Sequence, residues 1–211
     1  MTADQHTTQA AQPRRRPGAT ETSKRRIFAA ALDLMGRNGV SATTVDDIAE
    51  AAGLAKGTVY YNFGSKTKMV GELLSYGFEV LFEELRSARQ AVAQPGRRRL
   101  EAMIEAACDF LATYPNYLHL WISQAWRQDS PWLQETTQMR SRLMYLVTEE
   151  LAQLPHRRTD IDVNMVATAA IGTLFLLGQE RVVFGLERSK TELVQTTLVV
   201  VDGYCQEVGG D

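Results

Sequence analysis

Cysteine is nearly absent. Cys108 and Cys205 stand far apart with no Cys-x-x-Cys spacing, and the three histidines, His6, His119 and His156, are scattered. That excludes a disulfide framework and a metal-site signature, and a lone cysteine on such a helix reads as a small core hydrophobe. No nucleophile–base pair, paired catalytic carboxylates or phosphate loop emerges, so an enzyme and a bound cofactor are not expected. Long apolar runs are missing too. The longest charge-free apolar stretch, 163–178, contains two Thr, two Gly and an Asn; it falls short of the roughly 18 residues that mark a membrane span and reads as a buried helix. The first 22 residues hold Arg14, Arg15 and Arg16 with no apolar segment behind them, so a secretory signal is absent and a cytoplasmic protein is expected. With 45% hydrophobic and 23% charged residues in 211, disorder throughout is excluded as well.

What is present begins with charge. Lys and Arg outnumber Asp and Glu ten to six in residues 1–70, whereas residues 71–211 hold 13 against 19. A basic front on a mildly acidic body suits a polyanion partner met at one end. Positions 1–22, rich in Thr, Gln, Ala, Pro and Arg, read as a disordered basic arm; its arginines are either a minor-groove contact or a solvated tail. From Ser23 the apolar residues Ile27, Phe28, Ala31, Leu32, Leu34 and Met35 recur at helical spacing up to Gly39. A short helix follows from Val45, where Thr44 and Asp47 have nearly the capping-box spacing, and it ends at Gly53. A third runs from Lys56 to Phe63. Two short helices joined at a glycine turn form a helix-turn-helix, with Ile48, Leu54 and Val59 fixing the crossing and Ala49 permitting close approach. The outer face of the third helix carries Lys56, Thr58, Tyr60, Tyr61 and Asn62, groups suited to phosphates, base edges and sugars.

The stretch from Arg25 to Leu73 closely resembles the DNA-binding domain of the tetracycline-repressor (TetR) family. The likeness rests on Ala30-Ala31-Leu32-Asp33-Leu34-Met35, Thr43 through Gly53, and Lys56-Gly57-Thr58-Val59-Tyr60-Tyr61-Asn62-Phe63-Gly64-Ser65-Lys66. It implies an all-α homodimer of about nine helices per chain, a DNA-binding domain over 23–68 and a ligand-binding, dimerising domain over 69–211. It further implies DNA contacts from Thr43, Thr44, Lys56, Gly57, Thr58, Tyr60, Tyr61, Asn62 and Lys66, with Thr44, Tyr61 and Lys66 on phosphates. Asn62 stands where the family often has His, and Lys68 where it commonly has an acid.

Beyond the motif, Ser65 caps a helix to about Ala93, followed by helices over 100–113, 115–126, 130–154, 160–184 and 189–207. With no repeat or strand-like alternation, all-α also follows from the residues themselves. Phe78, Phe82, Phe110, Tyr114, Tyr117, Trp121, Trp126, Met139, Leu143 and Phe175 are candidates for an apolar, aromatic effector cavity, against the alternative of plain core packing. Glu101, Glu105 and Asp109 form an acidic stripe that is either solvated or, with Glu105 and Asp109 facing the cavity, a draw for a cationic ligand. The last two helices offer Ala167, Ala170, Ile171, Leu174, Leu177, Gly178, Val194, Leu198 and Val201, which are either core or, as the resemblance implies, a symmetric dimer interface. Two reading heads on a twofold axis, about 34–36 Å apart, match an inverted-repeat operator in double-stranded DNA. The expected function is therefore a dimeric repressor released by a small, largely apolar or aromatic ligand. The alternatives are an activator of the same fold and a helical ligand-binding protein that does not read DNA.

Overall fold

The computed structural model describes residues 17–205. Among them lie nine helices: α1 (Pro17–Asn38), α2 (Val45–Ala51), α3 (Lys56–Phe63), α4 (Lys66–Ala91), α5 (Arg97–Thr113), α6 (Pro115–Ala125), α7 (Leu133–Leu151), α8 (Val163–Phe184) and α9 (Lys190–Asp202). The protein is all-α. The expected disordered arm needs correction at its C-terminal end, because α1 begins at Pro17 and not at Ser23; proline is well placed in a first helical turn, where its missing N–H has no partner to lose. Arg14–Arg16 lie outside the described residues. The last helix stops at Asp202, where the chain turns and Arg157 and Cys205 form an isolated antiparallel bridge.

Local chemistry sets the helix ends. Ser65 caps α4 by accepting from the Lys68 amide, and Ser189 and Glu192 form a capping box on α9. Gly53 ends the helix-turn-helix turn at φ +60°, and its carbonyl accepts from Arg26 Nη2 at 3.2 Å. A side chain there would be strained and would meet that guanidinium.

The helices form a small head, α1–α3 with the first turns of α4, and a larger body. Ile27, Ala31, Met35, Ile48, Val59, Phe63, Met69 and Val70 fill the head core. The same α4 then delivers Leu74, Phe78, Leu81 and Leu85 to the body core, so one rigid element belongs to both. At its far end a buried carboxylate ties three segments together. Glu150 on α7, 1% exposed, accepts from Arg89 Nε at 2.6 Å and from the Gly96 amide at 2.8 Å, with Arg99 Nη1 at 3.5 Å.

Midway along α4, α6 comes unusually close. The Tyr117 ring lies over Gly77, where a Cβ would overlap it, and the Tyr117 hydroxyl donates to the Leu74 carbonyl at 2.6 Å. The ring is held at its far end, so it cannot swing away to make room. Gly77→Ala is therefore expected to lower stability by about 1–3 kcal/mol through overpacking, read as a lower urea midpoint with an unchanged m-value. A midpoint equal to wild type would mean that the α4–α6 approach is looser than described.

Candidate nucleic-acid interface and interior cavity

The outer surface of the head is built on α2 and α3. The Thr44 hydroxyl accepts from the Asp47 amide at 3.1 Å, and the Asp47 carboxylate accepts from the Thr44 amide at 2.8 Å. Those hydrogen bonds, with the charge of Lys66 a smaller cause, hold the Asp47 carboxyl below its usual range. On α3, Lys56 and Gly57 are exposed, Thr58 is half-buried, and Tyr60 and Tyr61 stand 45% and 70% exposed. Val59 and Phe63 turn inward. Large exposed aromatic rings on a short helix are costly in water, and here Tyr60 stands one helical turn from the Lys56 ammonium. That ammonium pairs with Asp46 at 2.8 Å, which pushes the Lys56 pKa up. Lys66 is half-buried beside the start of α2.

Two residues expected on this surface are turned away from it. Thr43 is 1% exposed, and its hydroxyl donates to the Gly39 carbonyl at 2.9 Å, closing the turn after α1. Asn62 is half-buried; its amide nitrogen donates to the Thr58 carbonyl one turn back, at 2.7 Å. A short polar side chain within a helix has that backbone oxygen in reach. Sequence reasoning passed over the brace behind the surface. Phe28 on α1 packs against Phe63 at 5.2 Å and Tyr76 at 5.7 Å, and Lys24 pairs with Glu72 at 3.1 Å, so α1, α3 and α4 are joined.

In the body, Phe78, Phe110, Tyr117, Trp121, Leu143 and Phe175 line one interior cavity of about 20 Å³. An apolar cavity of about 60 Å³ shares Leu143 and Phe175 with it and adds Ala170, Ile171 and Leu174. On the other side, Phe110 and Tyr117 also wall a 190 Å³ cavity under α1 that Tyr114, Phe28 and Leu32 complete. Phe82 stacks on Phe78 beneath the Arg142 guanidinium, outside the interior cavity. Burial pushes the Tyr117 phenol up, so it remains a donor, and burial likewise pushes the Cys108 thiol up to about 11, where it is a poor nucleophile.

Besides Phe82 and Met139, three expected cavity residues need correction. Glu105 is exposed, Asp109 pairs with Lys190 at 2.7 Å in a surface cleft, and Trp126, 81% exposed, lies just past the end of α6. The reason for the acids is the face of α5: Leu100, Met103, Ile104, Ala107, Phe110 and Leu111 take the inside, leaving 101, 105 and 109 on the outer strip. Met139 is buried on α7 outside these cavities. The expected interface residues need the same correction. Ala167, Ala170, Leu174, Val194, Leu198 and Val201 are each no more than 6% exposed within one protomer, Ile171 lines the apolar cavity, Leu177 lines the surface cleft, and Gly178 packs against Leu111. The exposed side of α8 is instead Met165, Ala169, Gly172 and Leu176. Nor is α8 the buried helix expected: only 22% of Val163–Glu180 is buried, and this segment, among the described residues, is apolar and long enough by composition to cross a membrane.

Residues 27–73 match the family described as bacterial regulatory proteins, tetR family. Over those residues the chain carries a DNA-binding domain of the TetR type. The transcriptional repressor KstR2 of Mycobacterium tuberculosis strain H37Rv is 26% identical over 153 residues, 71% of this chain and 76% of its own length. The solved structure of that organism's ketosteroid transcriptional regulator KstR2 superposes with a TM-score of 0.73 at 24% identity, covering 87% of this chain and 95% of that one. A Bacillus subtilis transcriptional regulator FadR, solved in complex with stearoyl-CoA, gives 0.71 at 19% over 88% and 99%. At those identities the structural likeness is one of fold. With that domain and these repressor relatives, the chain is a DNA-binding transcriptional regulator and not an enzyme.

The head's integrity depends on the α2 cap. Thr44→Ala is expected to cost about 1 kcal/mol. Asp47's pKa is depressed on folding, so its contribution is complete above the unfolded aspartate range and is lost as pH falls through the folded value. The penalty of Asp47→Asn, which removes the carboxylate charge behind the bond to the Thr44 amide, should be smaller near pH 3 than at pH 7 when measured by urea unfolding. An equal penalty at both would show that the carboxylate takes no part.

Proposed function

We propose that the protein is a homodimeric cytoplasmic repressor that reads an inverted-repeat operator with α3 and releases it when a small, largely apolar molecule enters the body. The reading rests chiefly on α4, which carries Met69 and Val70 in the head core and Phe78 and Leu81 in the lining of the interior cavity. DNA-binding residues 23–68 and ligand-binding residues 69–211 thus meet within one helix. Lys56, Gly57, Thr58, Tyr60 and Tyr61 present the reading surface, with Thr44 and Lys66 beside it for phosphates.

The interior cavities are far smaller than the roughly 300–1,000 Å³ that encloses a small molecule, so an effector must part α4, α6 and α8 to fit. Moving α6 moves the head directly: a Cβ at Gly36 of α1 would overlap Asn116 at the start of α6. Trp132 fixes the other flank, donating from Nε1 to the Thr67 carbonyl at 2.9 Å in the first turn of α4. A ligand that binds the parted state better shifts the population away from the DNA-competent spacing. The repressor name of the KstR2 relatives and the acyl thioester bound by FadR accord with an apolar effector and a negative sign of regulation.

Dimerisation is assigned to the exposed strip of α8, Met165, Ala169, Gly172 and Leu176, with α9, which packs on α8, carrying the exposed Val199. Small residues at its centre allow two copies to approach closely. A helix apolar on both sides fits a chain that covers one side itself and the other with its copy. Leu176→Glu should give a folded monomer by sedimentation velocity; a variant that stays dimeric would place the interface elsewhere.

Fluorescence anisotropy on DNA from upstream of the gene, with competitor and a salt series, tests the DNA reading. Nanomolar, competitor-resistant binding is expected, weakened at least tenfold by Tyr61→Ala but little by Asn62→Ala, whose amide is bound to its own helix. Lys56→Ala should reduce the salt slope by about one. Loss of all binding under competitor across genomic fragments would refute operator reading.

A further inference from the structure

The cavity under α1, about 190 Å³, is larger than either interior one and lies where the head meets the body. Phe28 of α1 lines it from the head, Tyr76 from α4, and Phe110, Tyr114 and Tyr117 from the body. These five rings hold one another in place. Phe28 lies against Tyr76 at 5.7 Å, and Phe110 lies against Tyr114 at 5.0 Å and edge-on to Tyr117 at 5.6 Å. Tyr117 cannot turn in to fill the space, because its hydroxyl is tied to the Leu74 carbonyl. Native packing leaves few voids larger than a water molecule, whereas ligand pockets form preferentially at joints between domains. Tyr76 and Tyr114 remain 52% and 39% exposed, so the lining is reachable from solvent.

We propose that this cavity is a second small-molecule site, separate from the interior, for an uncharged, apolar molecule of about one ring. Size supports it: an apolar cavity of about 150 Å³ takes up benzene, and this one has room for a methyl group more. The lining sets the chemistry. Nearly all of its surface is carbon, which offers a charged group nothing in place of the water it gives up. A group of aromatic rings can also hold a quaternary ammonium, but no carboxylate joins these rings, and the one charged residue of the lining is a cation, Arg25. The proposal does not depend on an effector entering the interior. An occupant touches α1 on one side and α4 to α6 on the other, so it fastens the head to the body at the wall that Tyr117 shares with the interior cavity.

The test uses the full chain labelled with 13C-methyl Leu and Val. Leu32, Leu73 and Val80 report on this cavity, and Leu81, Leu143 and Leu174 on the interior ones; each signal is assigned by a Leu→Met or Val→Ile substitution. The probes are toluene and, at equal ionic strength, tetramethylammonium. Toluene should shift the Leu32, Leu73 and Val80 methyls saturably, and tetramethylammonium should leave them in place. Ala29→Phe and Val80→Phe each add a ring to the lining, from α1 and from α4, and should abolish the toluene shifts of the remaining reporters while the other methyl signals show a folded chain. Shifts confined to Leu81, Leu143 and Leu174 overturn the second site and favour the interior as the sole one. Shifts at none of the six overturn it as well. Shifts that survive in both filled variants overturn the location, and a response to tetramethylammonium equal to that for toluene overturns the uncharged class.

Discussion

The arrangement depends on one close approach, the Tyr117 ring on the bare backbone of Gly77. Because α4 has no side chain there, α6 can lie against it, and the Tyr117 hydroxyl reaches the Leu74 carbonyl one turn earlier. The same ring meets Phe110 edge-on at 5.6 Å, so a single side chain fixes the spacing of α4, α5 and α6. It also separates the interior cavity from the larger space under α1. Interiors packed at native density move between discrete arrangements more readily than they deform smoothly. Whatever displaces Tyr117 must therefore shift α4 or α6, and both carry the head.

The head was legible in the sequence because its constraints are local. Thr44 with Asp47, Gly53 four residues after Ala49, and Ser65 before the long helix are signals whose partners lie within a turn or two of chain. The outward side of α3 could be read for the same reason: in an eight-residue helix, once Val59 and Phe63 go inward, Tyr60 and Tyr61 must go out. What was not legible there was competition within the helix itself. The Thr58 carbonyl lies nearer to Asn62 than any outside partner, and Thr43 serves the turn that its neighbour Thr44 leaves behind.

The body was legible only as helices. On α5 the apolar and acidic residues occupy separate strips, but periodicity does not say which neighbour the apolar strip meets, so the placement of Glu105 and Asp109 had to come from packing. On α8 even the face was hidden. Ala167, Ala170 and Leu174 are as apolar as Met165, Ala169 and Leu176, and a helix hydrophobic all round gives no inward direction. Small residues suggested close approach, and both sides have them: Ala167 and Ala170 approach the protomer's own helices, while Ala169 and Gly172 lie open.

The electrostatics of the reading surface argue for specificity by restraint. Lys56 is held by Asp46, but both side chains are more than half exposed, and exposed ion pairs are worth less than about 1 kcal/mol. Handing Lys56 to a phosphate therefore costs little, whereas Asp46 and Asp47 remain at the surface and repel a backbone that approaches in the wrong register. Nonspecific affinity grows with each phosphate neutralised, so pairing Lys56 with Asp46 restrains binding to random DNA. On the proposed reading, the exposed rings of Tyr60 and Tyr61 would contribute only when sugar and base edges are in place against them. Restrained electrostatic attraction with a demanding aromatic fit would raise the ratio of specific to nonspecific binding, the quantity that decides whether an operator is found among many competing sites.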